Sequence, residues 1–155
     1  MSAQIFWSIK AFNELSVNEL YDIFRLRMEV FVVEQNCPYQ DADGKDQHAS
    51  HLMGRNSKEE LIAYARIFPG GISFNEVSIG RVITSGKARG MGAGKMLMEK
   101  AITFCHLIFG NQPVRIGAQS YLIKFYKSFG FEVVSEEYLE DNIPHVEMLK
   151  PAEMA

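Results

Sequence analysis

The sequence predicts an α/β fold in one domain. Three observations carry that prediction. Short apolar runs alternate at period two, as strands do, and other segments space their apolar residues at three and four, as helices do. From Val77 onward the two patterns follow one another as strand, helix, strand, helix, strand, separated by glycine and proline. Across 155 residues there is no repeat, low-complexity tract or linker, so residues 1–155 are read as a single domain.

The elements follow in order. Ile5, Trp7 and Ile9 alternate with Phe6, Ser8 and Lys10 and make a first strand. Ser16-Val17-Asn18-Glu19 has the form of a capping box, in which serine and glutamate satisfy each other's backbone N–H. Behind it Leu20, Ile23, Phe24, Arg27, Met28 and Phe31 keep helical spacing, which predicts a helix to about Glu34. Residues 36–47, with Cys37, Pro38, Asp41, Asp43, Gly44 and Asp46, read as a loop. Residues 48–53 and Leu61–Phe68 read as a hairpin turning over 54–59, closed by Pro69-Gly70-Gly71. Val77–Thr84 is a strand. Residues 92–109 are helical, with Leu97, Ala101, Phe104, Cys105 and Ile108 on one face, and Gly110-Asn111 ends them. A strand at 114–118 leads to a helix at 120–129 with Gly130 as its C-terminal cap. Strands at 131–134 and 145–149 close the chain around a polar segment, 136–144.

Composition excludes several classes. Hydrophobic residues at 47% and charged residues at 23% are globular values, unlike those of disordered, collagenous or disulfide-scaffold chains. No apolar run approaches the ~20 residues of a membrane span, so no membrane partner is expected. Met1 to Trp7 lacks a basic stretch followed by an apolar one, so no leader is expected and the chain is assigned to the cytoplasm. Sixteen basic against nineteen acidic residues give a net charge of −3. With no basic stripe, nucleic acid is not an expected partner. Two cysteines fit a reducing compartment. Cys105 falls on an apolar helix face, whereas Cys37, before Pro38, is expected to be exposed. No metal is expected either. A calcium loop starting at Asp41 would put Lys45 and Leu52 at ligand positions five and twelve, and His48 and His51, three apart on a strand, point to opposite faces. The loop carboxylates Asp41, Asp43 and Asp46 are read as a solvated turn or, together with Glu34, as a cluster attracting a cationic amine.

Arg89-Gly90-Met91-Gly92-Ala93-Gly94-Lys95 carries the strongest chemical signal. It joins the strand Val77–Thr84 to the helix at 92–109. Glycines let backbone N–H groups approach a ligand closely, and a helix N-terminus adds free donors and a positive dipole end, which suits a phosphate. A Walker A loop would need glycine at Arg89 and Ser or Thr at Met96. The dinucleotide fingerprint would need glycine at Lys95 or at Leu97. The pattern that fits is Arg-x-x-Gly-x-Gly, on Arg89, Gly92 and Gly94.

That pattern resembles the pyrophosphate loop of the GNAT N-acetyltransferases, which use acetyl-CoA. Further blocks resemble the ElaA-like subgroup: residues 26–43, Ala63-Tyr64-Ala65-Arg66, Ile79-Gly80-Arg81-Val82 and Ile143-Pro144-His145. The segment 119–131, with Tyr126 and a closing Gly130-Phe131, resembles the family's second cofactor helix. The resemblance implies a GNAT-like mixed, mostly antiparallel sheet flanked by helices on both faces. It places acetyl-CoA between Val77–Thr84 and the strand at 114–118, held by the backbone of Val82, Ile83 and Thr84, by the loop Arg89, Gly90, Met91, Gly92, Ala93, Gly94 and Lys95, and by Gln119 and Tyr126. Gln119 stands where many members carry asparagine.

Acetyl transfer to an amine needs a polarised thioester, a deprotonated amine and a protonated leaving thiolate. The resemblance implies a polarising backbone N–H near Val82 and Tyr126 as general acid. Glu34 is placed first as general base and His145 second, with Glu76 a third option. The implied reaction is direct attack on acetyl-CoA by a primary amine, on a cationic small molecule or a lysine side chain. A CoA-binding module without catalysis is the rival reading. A homodimer is compatible with the sequence, but no pattern encodes one.

Overall fold

Eight strands form one sheet among the described residues, 4–154 of the computed structural model. Met1, Ser2 and Ala3, part of the stretch read for a leader, lie outside the described residues, as does Ala155. The strands are β1 (Phe6–Ala11), β2 (Ser50–Arg55), β3 (Leu61–Phe68), β4 (Val77–Thr84), β5 (Val114–Gln119), β6 (Glu132–Val133), β7 (Tyr138–Glu140) and β8 (Ile143–Lys150). Their order is β1-β2-β3-β4-β5-β8-β6, and β7 also pairs with β8. Only β4 and β5 run parallel; every other pair is antiparallel. The mixed, mostly antiparallel sheet expected from the resemblance is the one observed.

Helices cover both faces. α1 (Val17–Arg27) starts where the capping box places it: Ser16 Oγ accepts from the Glu19 N–H at 3.0 Å, and Glu19 Oε1 accepts from the Ser16 N–H at 2.8 Å. The segment does run to Glu34, but not as an α-helix. Over Met28–Glu34 it widens to π-helical turns, with Gln35 donating to the Val30 carbonyl and Cys37 to that of Val32. The β-branched run Val30, Val32 and Val33 fits a tight α-helix poorly, and such widened turns cluster at functional sites. Ile23, Leu26 and Val30 pack on Met53, Tyr64 and Ile83 on one face of the sheet. On the other face α2 (Ala93–Phe109) and α3 (Ile123–Lys127) bury Leu97, Met98, Ala101, Cys105 and Tyr126 against Ala63, Ala65, Ile67 and Ile116. Small alanines on β3 let α2 approach closely.

Several elements differ from the reading of the sequence. His48 lies in a 3₁₀ turn, Asp46–His48, so β2 begins at Ser50 and takes in Gly54 and Arg55. The helix expected at 120–129 splits into a 3₁₀ turn, Ser120–Leu122, and the short α3. The polar segment 136–144 contains β7, joined to β8 by Asp141-Asn142, whose φ values of 49° and 66° make a type I′ hairpin turn.

Two irregularities open the sheet. β4 and β5 pair only at Val77↔Val114 and Ser78↔Arg115, then splay apart. Against β3, β4 carries one extra residue: Arg66 faces Gly80 and Tyr64 faces Ile83, with Arg81 between at a φ of 49°. This bulge bends β4 and re-aims the groups that follow it.

Candidate active site

A cleft of about 990 Å³ fills the splay between β4 and β5. Val82, Ile83, Thr84, Arg89, Gly94, Gln119, Tyr126, Glu34 and His145 all line it. Residues assigned from four separate stretches of sequence therefore meet in one cavity. The remaining turn residues, Gly90, Met91, Gly92, Ala93 and Lys95, do not line it. Ala93 turns its side chain inward against Ile62 and Ala88, leaving only its backbone to face a ligand, and Lys95 is exposed.

The glycine-rich turn has the form an anion needs. Gly90 and Gly92 take φ values of 85° and 72°, and Gly92 caps α2 in the left-handed conformation. The first helical bond runs from the Met96 N–H to the Gly92 carbonyl. The N–H groups of Ala93, Gly94 and Lys95 thus precede the helical ladder and point out of its positive end. Gly94 has no positive φ, and a Cβ there would meet nothing closer than Phe125 Cζ at 3.9 Å. Neither backbone nor packing demands glycine at that position, so the vacant space lies toward the cleft, which is what a pyrophosphate cradle requires. Arg89 pairs with Glu34 across the cleft mouth and donates to the Thr84 carbonyl at 3.2 Å.

Tyr126 is 6% exposed, and burial raises its hydroxyl above the ordinary tyrosine value, so it stays protonated at neutral pH. His145 is also buried, stacked on Tyr138 with ring centroids 5.9 Å apart. Its Nδ1 lies 2.7 Å from the Ile143 carbonyl. A carbonyl only accepts, so Nδ1 donates to it and Nε2 is left free of that bond. Nε2 lies 3.5 Å from Glu140 Oε2. Glu76 makes bonds of 3.0 Å to both Nε and Nη2 of Arg115 and does not line this cleft.

The acidic loop is not a solvated turn. Asp41 and Asp46 are buried, and the three aspartates are engaged by three arginines. Arg27, fully buried, bonds Asp41 and Asp46 at 2.7 Å each. Arg66 bonds Asp43 at 2.7 Å and Asp46 at 3.0 Å, and Arg81 lies 2.9 Å from Asp41. Burial alone would raise the Asp43 and Asp46 carboxyls. The arginine hydrogen bonds and charges outweigh it and hold both below the usual range. Three positive and three negative charges cancel, so these aspartates exert no net pull on a cation. His51, fully buried, bridges the network between Tyr64 Oη at 2.6 Å and the Asp46 carbonyl at 2.9 Å. Burial lowers its basicity below the ordinary histidine value.

Cys37 is buried rather than exposed, its thiol donating to the Asp141 carbonyl at 3.3 Å. Cys105 sits in the core, where burial pushes its thiol up to about 12. Neither lines the cleft. Among the described residues no cluster of His, Cys, Asp and Glu could hold a metal ion, and no helix is long and apolar enough to cross a membrane.

The comparisons with known proteins agree with this geometry. Residues 16–151 match the acetyltransferase (GNAT) domain family. The chain belongs to the GNAT family. It is 47% identical to protein ElaA of Escherichia coli strain K12 over 146 residues, covering 93% of this chain and 95% of that protein. The crystal structure of E. coli ElaA superposes with a TM-score of 0.88 at 46% identity, over 95% of this chain and 99% of that one. An acyl-CoA N-acyltransferase from Pseudomonas aeruginosa superposes with a TM-score of 0.90 at 42% identity, over the same shares. This GNAT chain is an acyltransferase, of a fold that uses acyl-CoA and acts on amine acceptors.

Sequence reasoning passed over part of the GNAT cleft. Lys45, Arg66, Ser78, Arg81 and Tyr138 line it without having been given a role. The available signal was an arginine inside each of two apolar strands, at Arg66 and Arg81, and one on the apolar face of α1, at Arg27. A charge in such a place needs a buried partner. Two buried donors of the wall remain unpartnered, Arg66 Nε and Ser78 Oγ. Each costs about 1–3 kcal/mol while it stays so.

Proposed function

We propose that this chain transfers an acetyl group from acetyl-CoA to the primary amine of a small molecule or a lysine side chain, by direct attack. The observation that carries the reading is the meeting of the glycine-rich turn, the splayed strands and Tyr126 in one cleft. A phosphate cradle, a slot for an extended arm and a proton donor then lie along one path.

The chemistry divides among these residues. The amine nitrogen attacks the thioester carbonyl, the C–N bond forms, and the C–S bond breaks. A backbone N–H at the β4 bulge, near Val82, polarises the carbonyl and stabilises its developing negative charge. Tyr126 gives its proton to the departing thiolate. The ammonium proton of the acceptor passes to Glu34 or to His145 Nε2. Glu34 is held by Arg89 in the free protein, so an Arg89 that turns to the pyrophosphate releases the carboxylate for the amine. Glu140 and Asp141 also line the acceptor end and favour an acceptor that arrives as an ammonium ion.

Thermal unfolding with and without acetyl-CoA tests the reading. At about 100 times Kd, binding adds ~2.7 kcal/mol, which for a domain of this size raises the midpoint by roughly 5–10 °C. ATP and NAD are expected to give no such shift. CoA thiol release with a panel of primary amines then tests transfer, and the Cys37→Ala, Cys105→Ala double variant is expected to retain it. The absence of any shift with acetyl-CoA or CoA would withdraw the assignment, and loss of all activity in the double variant would replace direct attack by an acyl-enzyme.

A further inference from the structure

The acceptor end of the cleft is electrically polarised. One wall runs from Lys45 through Asp43 and Arg66 to Phe68 and Ser78. The Lys45 N–H donates to Asp43 Oδ1 at 3.1 Å, Arg66 bonds Asp43, and the Arg66 guanidinium lies 4.7 Å from the centre of the Phe68 ring. Ser78 is the strand partner of Phe68. The arginines and aspartates of this wall cancel, three against three. Lys45 adds a positive charge that no carboxylate neutralises within ion-pair reach among the described residues. The cleft lining also carries Glu140, Asp141 and His145. The lining also includes bare backbone at Gly80, while at Gly117 the Tyr138 hydroxyl lies 3.3 Å from where a Cβ would stand.

The basic wall also holds the two donors without partners. Arg66 and Ser78 are 4% and 2% exposed, and Arg66 Nε and Ser78 Oγ find no acceptor in the protein. Both residues line the cleft. The other Arg66 nitrogens are committed to Asp43 and Asp46, so the wall is held in place, and the chain itself supplies no acceptor for its two remaining donors.

We infer that the acceptor carries a carboxylate beside its amine. Its carboxylate sits against Lys45, Ser78 and Arg66 Nε, and its ammonium points to Glu140, Asp141 and His145. The acceptor is then an amino acid or a similar zwitterion. A single uncompensated positive charge matches one carboxylate better than a doubly charged phosphate. This inference rests on the acyl-transfer reading of the same cleft.

Matched pairs of amines test it: lysine against cadaverine, and phenylalanine against phenethylamine. Thiol release from acetyl-CoA gives kcat and KM for each, and calorimetry in the presence of CoA gives binding without chemistry. A site built to pair a polar group discriminates strongly against the analogue that lacks it. At least a tenfold preference in kcat/KM for the carboxylated member of a pair is expected. In Lys45→Met and Ser78→Ala the preference collapses toward one, through a higher KM for the carboxylated amine rather than a lower kcat. Lys45 makes no ion pair, so a wild-type melting curve is expected for K45M and separates lost recognition from lost folding. Equal rates within both pairs, or a preference that survives both variants, would overturn the carboxylate subsite while leaving the transferase standing. Saturable, Lys45-dependent binding of an amino acid with no thiol released from any amine would support the subsite and remove the transferase reading.

Discussion

Arg89, in the glycine-rich turn, is ion-paired to Glu34, at the end of the widened helical segment. The pair ties the cofactor half of the cleft to the acceptor half. One guanidinium cannot hold both a carboxylate and a pyrophosphate in full, so on the proposed function cofactor and Glu34 compete for Arg89.

Glu34→Gln removes the competitor. Exposed pairs of this kind contribute about 0.2–1 kcal/mol, so CoA is expected to bind up to about fivefold more tightly. Acetyl transfer is expected to slow in the same variant, because the group freed for the amine is gone. Titration calorimetry with CoA measures the first effect and thiol release the second. Weaker CoA binding would show that Glu34 supports the turn instead of competing for it.

Gly92 and Gly94 separate strain from access. Gly92→Ala forces a side chain into the left-handed region and is expected to cost about 1–2 kcal/mol of stability. Gly94→Ala meets only Phe125, at ordinary contact distance in the free protein, and is expected to change stability by less than about 0.5 kcal/mol. Only the second is expected to weaken CoA binding without lowering the melting temperature. Equal CoA affinity in Gly94→Ala and the unaltered protein would move the phosphate site away from this turn.

Tyr126→Phe keeps the buried ring and removes the proton donor. A fall in kcat of about 100-fold or more is expected, with the KM for acetyl-CoA barely moved. Burial raises the Tyr126 hydroxyl, so its ionisation is expected to cause no alkaline loss of activity below pH ~10. An alkaline limb nearer neutrality that vanishes in the phenylalanine variant would contradict this assignment.

Acid stability reports the buried network. His51 is held neutral, so its folded value lies below the unfolded value of ~6.5. The unfolded chain then binds the extra proton, and stability falls as pH drops below about 6.5. Asp43 and Asp46 are also depressed. Their contribution is whole above the unfolded carboxylate value of ~3.9 and is lost as pH falls through the folded values. Urea unfolding between pH 7 and 3 is expected to show a first decline that His51→Gln abolishes and a second that it leaves. Asp46→Ala is expected to lose about 3–5 kcal/mol at neutral pH, because it leaves three arginines facing two aspartates.

How far the sequence reveals this molecule depends on the range of the interaction. α2 was legible because its apolar face repeats over about three turns, and the glycine-rich turn because its pattern is written in consecutive residues. β7 was hidden. Its three residues are too few for a period, and Leu139 is exposed. The only marker was Asp141-Asn142, two residues that tolerate a positive φ. The arginine network was hidden for another reason. Arg27, Arg66 and Arg81 come from three elements, and only the folded sheet shows that one loop supplies all their partners. The same holds for the acceptor end, whose walls lie up to a hundred residues apart in the chain, as Cys37 and Asp141 do.

The two walls of the acceptor end also differ in how freely they can change. The wall at Arg66 is locked by interdependent buried charges, where altering one member strands the others. The wall opposite stands on β7, three residues held by β8 and a two-residue turn. Glu140 is exposed and a substitution there disturbs little beneath it, whereas Tyr138 stacks on His145 and Asp141 holds a left-handed turn position. Relatives that diverge toward other acceptors are therefore expected to rewrite this hairpin first at Glu140, keeping the arginines and aspartates as an inherited constant.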